Sequence, residues 1–135
     1  VLDFGRYVAG PYCATLLGYL GAEVIRVEKR DGSEDRWIAP VAAGGEGGVF
    51  LQTSCNKKSL TLEPTTPEGR EVTKRLVATA DVIVANLPAA ALKSMGLDYD
   101  AVRAIKPDVI LATQTAFGDT GPYARRGGFD GIGQA

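Results

Sequence analysis

Glu28-Lys29-Arg30 sets a carboxylate beside two bases, downstream of a loop framed by Gly5 and Gly10. In dinucleotide-binding folds an acid roughly 20 residues after the first glycine turn reads a ribose, and bases beside it favour a phosphate on that ribose. The bland alternative is a solvated strand end, where charge is common. The Gly5–Gly10 loop falls between an apolar run and a helical pattern, where backbone N–H groups and the helix dipole can receive an anion. It has neither G-x-G-x-x-G nor G-x-x-x-x-G-K-[ST] spacing, so a simple connecting turn stands beside the ligand reading. Lys57 and Lys58 precede another strand-like run and are expected to converge with Lys29 and Arg30 on a phosphorylated adenosine, acting as point charges. Asn86-Leu87-Pro88 and the stretch from Thr113 to Pro122 are polar loops bearing Gly or Pro that follow apolar runs, as ligand-contacting loops do. Among the acids, Asp3 reads as a structural carboxylate at a strand end and Asp119 as a turn residue. Neither they nor Asp130 can be assigned as a nucleophile from the sequence.

The rest of the composition narrows the chemistry. The chain has 135 residues, with 15 Lys plus Arg against 16 Asp plus Glu and a formal charge of −1. That balance supplies no field for nucleic acid or an anionic membrane, so any basic site must be local. There is no His, and the two cysteines, Cys13 and Cys55, lack C-x-x-C spacing. Zinc sites and His-based triads are therefore excluded within these residues, and reduced thiols in a cytoplasmic setting are expected. No apolar run approaches the roughly 18 residues of a membrane span. Val1 lies inside an apolar run, and Phe129 to Ala135 reads as the start of a helix, so the sequence is expected to be a piece of a longer protein.

The elements that must position these residues alternate. Val1 to Phe4 reads as a short buried strand. A helix begins near Pro11, and Cys13, Leu16, Leu17 and Leu20 supply its expected apolar stripe, ended by Gly21. Glu23 to Glu28 forms a second strand, and Asp31 to Gly48 a long loop without either period. Ser59 to Leu62 alternates as a strand. Thr66-Pro67-Glu68 then combines a cap, a first-turn proline and an acid at the positive end of a helix running to about Thr79. Asp81 to Ala85 and Val109 to Thr113 are buried strands, separated by helices at Ala89 to Met95 and Tyr99 to Ile105. Such alternation predicts an α/β fold: a Rossmann-like parallel sheet with helices on both faces and right-handed crossovers.

Taken in order, Val1-Leu-Asp-Phe4, Ala9-Gly-Pro11, Leu20 to Glu28, Asn56 to Leu62, Thr66 to Arg70, Ala80 to Asn86 and Phe117 to Tyr123 closely resemble the class III coenzyme A transferases. That family includes formyl-CoA transferase, carnitine CoA-transferase and the α-methylacyl-CoA racemases, and the resemblance spans essentially the whole chain. It implies the amino-terminal part of a CoA-binding large domain over residues 1–135, with the small domain and the rest of the large domain absent, and an interlocked homodimer for the full-length protein. It also places Val8, Ala9, Lys29, Leu62, Glu63, Pro64, Thr65, Asn86, Leu87, Pro88, Thr115, Ala116, Phe117 and Gly118 at the coenzyme A positions. The family often has Arg where Lys29 stands, and many members have an aromatic where Leu87 stands. Ser94, beside Lys93, occupies the place of a family arginine.

The activity so implied is acyl-CoA:carboxylate CoA transfer, with acyl-CoA and a carboxylic acid as small-molecule partners and no metal. An aspartate attacks the thioester to give a mixed anhydride and then an aspartyl-CoA thioester. The resemblance puts that aspartate roughly thirty residues beyond Asp130, so no catalytic residue is expected within the chain and the 135 residues alone are expected to be inactive. Racemases of the family carry a His before the position of Asp130, where this chain has Phe129, which favours transfer. A racemase or isomerase of the same family, and a non-catalytic nucleotide-binding or assembly module, are the alternatives.

Overall fold

The computed structural model describes all residues from Val1 to Ala135. Its elements run β1 (Leu2–Asp3), α1 (Ala9–Tyr19), β2 (Val24–Glu28), a 3₁₀ turn (Glu34–Trp37), α2 (Gly48–Thr53), β3 (Lys57–Thr61), α3 (Pro67–Thr79), β4 (Val82–Ala85), α4 (Ala89–Met95), α5 (Tyr99–Ile105), β5 (Ile110–Thr113) and α6 (Asp130–Gly133). The five strands form one sheet in the order β3-β2-β1-β4-β5, every pairing parallel. The expected α/β sheet with helices on both faces is therefore present. The chain steps outward from β1 to β3, then returns to β4, so the strand order reverses between β1 and β4. Open sheets of this kind bind ligands outside the carboxyl ends of their strands at such a point.

One face of the sheet carries the main core. Leu2, Phe4, Val27 and Ile83 pack with Val77 of α3, Leu92 of α4, Leu97 of the turn after α4 and Val102 of α5. Each such side chain contributes about 1.5–3 kcal/mol when fully buried. α3 begins as its sequence requires: the Thr66 side chain accepts a hydrogen bond from the Gly69 N–H at 3.0 Å, and Pro67 opens the first turn.

The opposite face corrects three expectations. Of the stripe Cys13, Leu16, Leu17, Leu20 only Leu17 packs, partly buried, toward the sheet; α1 buries Gly10, Pro11, Ala14, Thr15 and Gly18 instead. Small residues at spacings of four let the helix backbone approach the strands, and Val24 and Val84 fill the space beneath Ala14. A count of apolar residues misses this, because glycine and alanine supply contact by being small. The segment between β2 and β3 is also more structured than a long loop: it contains the 3₁₀ turn and α2, and Val41 pairs with Gly47. Finally, Lys57 and Lys58 do not converge with Lys29 and Arg30. Parallel register sets Lys57 opposite Val24 and Glu28 opposite Thr61, which leaves both lysines at the amino edge of the sheet.

What Lys57 does instead is anchor a buried ionic network. Its ammonium donates to Asp3 at 2.7 Å and to the Pro11 carbonyl at 2.6 Å. Arg26 bonds Asp35 at 2.6 Å and Glu28 at 3.1 Å, and lies 3.7 Å from Asp3. Arg36 closes the set with two bonds to Glu28, at 2.7 and 3.0 Å. The Phe50 ring of α2 lies under both guanidinium groups, 3.8 Å from that of Arg36 and 5.4 Å from that of Arg26, a cation–π arrangement. Asp3 is thus the structural acid expected of it. The same contacts tie the connection from β2 to β3 down onto the sheet.

Candidate functional site

The strand order brings the ends of all five strands into one row. Reading across it come Leu62–Thr65 after β3, Glu28–Lys29 after β2, Arg6–Ala9 after β1, Asn86–Pro88 after β4 and Thr115–Gly118 after β5. With neighbouring strands about 4.8 Å apart, the row is roughly 19 Å long. Every segment singled out for coenzyme A lies along it. Adjacency on one edge is a geometric fact; ligand contact is a further claim.

The centre of the row is the turn from β1 into α1. The Gly5 N–H donates to Asp3 at 2.8 Å. Asn86 then clamps the loop from the neighbouring strand: its Oδ1 accepts from the Arg6 N–H at 2.7 Å and its Nδ2 donates to the Arg6 carbonyl at 2.8 Å. The amide side chain continues the β1–β4 pairing past the point where the backbone ladder stops. A Cβ on Gly10 would lie 2.6 Å from the Asn86 Oδ1 and 2.9 Å from the Gly5 Cα, so glycine is required there by space. Tyr7 adopts φ +59°, which turns the chain so that Val8 caps α1 and Ala9 begins it. The Tyr7 ring meets Phe129 edge-on at 5.3 Å, linking this loop to the start of α6.

Arg6 is the residue at this edge that sequence reasoning did not single out. Its Nη1 donates to the carbonyls of Gly5 at 2.8 Å, Phe4 at 3.2 Å and Val27 at 3.3 Å, bridging the ends of β1 and β2. Burial, and then the nearby charge of Arg26, lower its pKa from the usual arginine value, while Glu34, Asp35 and Asp3 oppose the shift. An arginine inside a glycine-framed loop after a strand was the available signal.

Glu28 does not present a free carboxylate to a ribose. Its side chain is 3% exposed and accepts from Arg26, Arg36 and the Ser33 N–H. Burial alone would raise its pKa, yet the bonds from Arg36 and Ser33 and the charges of Arg26 and Arg36 hold it at about 2. Lys29 is half-exposed and donates to Glu34 at 2.5 Å, a bond that raises its pKa. Together with Arg30, Arg36, Trp37 and Glu46 it borders a polar hollow of about 310 Å³.

The remaining segments are set by packing. Leu62 extends the ladder from β3 by bonding the Glu28 carbonyl at 2.9 Å and sits partly buried against the main core. Glu63 accepts from the Thr65 N–H and hydroxyl, and Pro64 is buried. Leu87 packs against the core and Pro88 caps α4. Gly118 turns with φ +75°, and Phe117 meets Tyr123 edge-on at 5.7 Å. Arg70 of α3 donates to the Ser94 carbonyl at 2.8 Å, beside the place where the resemblance expects an arginine.

A five-stranded, all-parallel sheet of this order, with its following loops gathered along one carboxyl edge, defines an α/β fold. Comparison with known proteins defines which. The chain belongs to CoA-transferase family III, whose pattern matches residues 1–135. It is 38% identical over its whole length to succinyl-CoA:glutarate CoA-transferase of Homo sapiens, covering 31% of that protein. Over 99% of its length it is 37% identical to the succinate–glutarate CoA-transferase of Agrobacterium fabrum, covering 35% of it. The beta subunit of succinyl-CoA–L-malate CoA-transferase from Chloroflexus aurantiacus is 40% identical over the full chain, which covers 34% of that subunit. Among solved structures, a CaiB/BaiF family protein from Brucella suis superposes with a TM-score of 0.91 at 39% identity, over 98% of this chain and 36% of that one. The chain therefore spans about a third of the length of these relatives. No helix is long and apolar enough to cross a membrane.

Proposed function

We propose that the protein carrying this chain is an acyl-CoA:carboxylate CoA-transferase and that these residues supply much of its coenzyme A surface, as the amino-terminal part of the large domain. The observation that carries the reading is the single row of strand ends, in which Val8–Ala9, Lys29, Leu62–Thr65, Asn86–Pro88 and Thr115–Gly118 become neighbours although they are far apart in sequence. The relatives' transfer of CoA between succinyl, glutarate and malate partners supports the same substrate class.

In this reading Asn86 acts through the loop it holds. With both its amide ends committed to Arg6, it fixes the backbone of Tyr7 to Ala9, leaving the N–H groups at the start of α1 directed at the ligand. Lys29 exchanges Glu34 for a ligand phosphate. The chemical step belongs to an aspartate outside these residues, which forms the aspartyl-CoA thioester, and the 135 residues alone bind without turnover. The full-length protein works as an interlocked dimer in the cytoplasm. Phe129 stands where a racemase of the family has a histidine, so proton exchange at the acyl α-carbon is not part of the reaction.

The test is isotope exchange with the full-length protein. Labelled succinyl-CoA and unlabelled glutarate should yield labelled succinate and glutaryl-CoA, without deuterium entering the α-carbon from heavy water. Deuterium uptake without transfer would replace the proposal by the isomerase. Calorimetry showing no heat with CoA would remove the CoA site altogether.

A further inference from the structure

A second cavity, of about 190 Å³, lies at the same edge between the first turns of α1 and the ends of β4 and β5. Ala9 and Cys13 form its helix side, Val84 and Ala112 its strand side, and Asn86, Thr113 and Gln114 supply its polar lining. No Lys, Arg, Asp or Glu lines it. Its room comes from small residues: alanine at 9 and 112, and glycine at 10, where the Asn86 amide forbids a side chain.

The two hollows along this edge are opposite in character. Beyond β2 and β3 the lining is charged, with Lys29, Arg30 and Arg36 beside Glu28, Asp31 and Glu46; beside β4 and β5 it is uncharged and largely apolar. An acyl-CoA has the same asymmetry, with phosphates at one end and a carbon chain at the other. Cations favour the phosphates, and apolar walls favour methylene groups. Ala9 and Asn86 belong both to the cavity and to the proposed coenzyme A row, so the two sites are continuous.

We propose that this cavity holds the methylene carbons of a short acyl group, about four to six carbons long, with any terminal carboxylate left at its open, solvated side, while the nucleotide end lies toward Lys29; this rests on the coenzyme A reading above. The size follows from volume, since an apolar cavity of about 150 Å³ accommodates benzene. Each methylene that enters tightens binding by about fourfold.

The test uses thioether analogues, which cannot transfer, and the full-length protein. Calorimetry should show affinity rising by at least tenfold from S-methyl-CoA to S-butyl-CoA and levelling off beyond about six carbons. Iodoacetamide labelling, read peptide by peptide, supplies an independent measure. Saturating S-butyl-CoA should slow modification of Cys13 by tenfold or more, and S-methyl-CoA should not. Cys55, which follows α2 and lies outside the cavity, should react equally in both. Ala112→Phe should erase the advantage of S-butyl-CoA while leaving S-methyl-CoA affinity unchanged. Equal labelling of Cys13 with both analogues bound at saturation would overturn the proposal, as would affinity independent of chain length. No heat with S-methyl-CoA would instead remove the coenzyme A reading, and the acyl cavity with it.

Discussion

Replacing Glu28 by glutamine measures how strongly the buried charges hold the connection between β2 and β3. The wild-type carboxylate has a folded pKa of about 2 against an ordinary value of 4.5. Because the folded value is depressed, its contribution is present above the unfolded pKa and is lost as pH falls through 4.5 toward 2. The full difference corresponds to about 3 kcal/mol, of which about 2 kcal/mol is gone by pH 3. Glutamine cannot ionise, so Glu28→Gln should lack that part of the pH dependence. At pH 7 the variant leaves Arg36 without its charged partner and Arg26 with one carboxylate fewer, at a cost of about 3 kcal/mol for a broken buried pair.

Urea titrations of both proteins at pH 7, 5 and 3 provide the assay. The stability gap should be largest at pH 7 and should close by about 2 kcal/mol at pH 3, the other carboxylates cancelling in the difference. Parallel loss of stability in the two proteins would refute the reasoning, since it would mean that Glu28 titrates alike in the folded and unfolded chains.

Gly10→Ala tests the clamp at the centre of the edge. In a helix alanine is favoured over glycine by about 1 kcal/mol, but here its Cβ would press on the Asn86 Oδ1 at 2.6 Å, so a net destabilisation of about 1–3 kcal/mol is expected by denaturant unfolding, with weakened CoA binding by calorimetry. An unchanged or raised midpoint would show that the loop yields without cost. Thr66→Ala removes the cap of α3 and should lower stability by about 1 kcal/mol in the same assay; no change would mean that the bond to the Gly69 N–H contributes nothing in solution.

Much of the fold was legible because it was written locally. The cap, proline and acid at Thr66–Glu68 mark where α3 starts, and the run at 82–85 is apolar because both faces of the sheet are covered there; the equally apolar run at 110–113, expected as a buried strand, is instead the edge strand, with Ile110 62% exposed. The site was legible only as separate loops. Its lysine pair at 57 and 58 went to the wrong edge because a strand's start and end look alike until register is known. Glu28 looked like a ribose ligand because a short charged motif does not reveal that Arg26, Arg36 and Ser33 will meet it. Arg6 and Asn86 are separated by eighty positions, and no periodicity connects them.

That difference has a physical origin in the two faces of the sheet. The face under α3 and α5 is apolar, and burial by area tolerates many arrangements, so composition announces it. The face under α1 is held by directional contacts among Asp3, Arg26, Glu28, Asp35, Arg36 and Lys57, which work only in one geometry. Removing water from such groups costs several kcal/mol per ion, so a network of this kind is poor value as a source of stability alone. Its effect is positional: it fixes the 3₁₀ turn and α2 against β2, and with them the side of the edge where Lys29 and Trp37 stand. Substitutions in this network should therefore disturb the Lys29 end of the row before they disturb the cavity beside β5, where packing of small residues sets the shape.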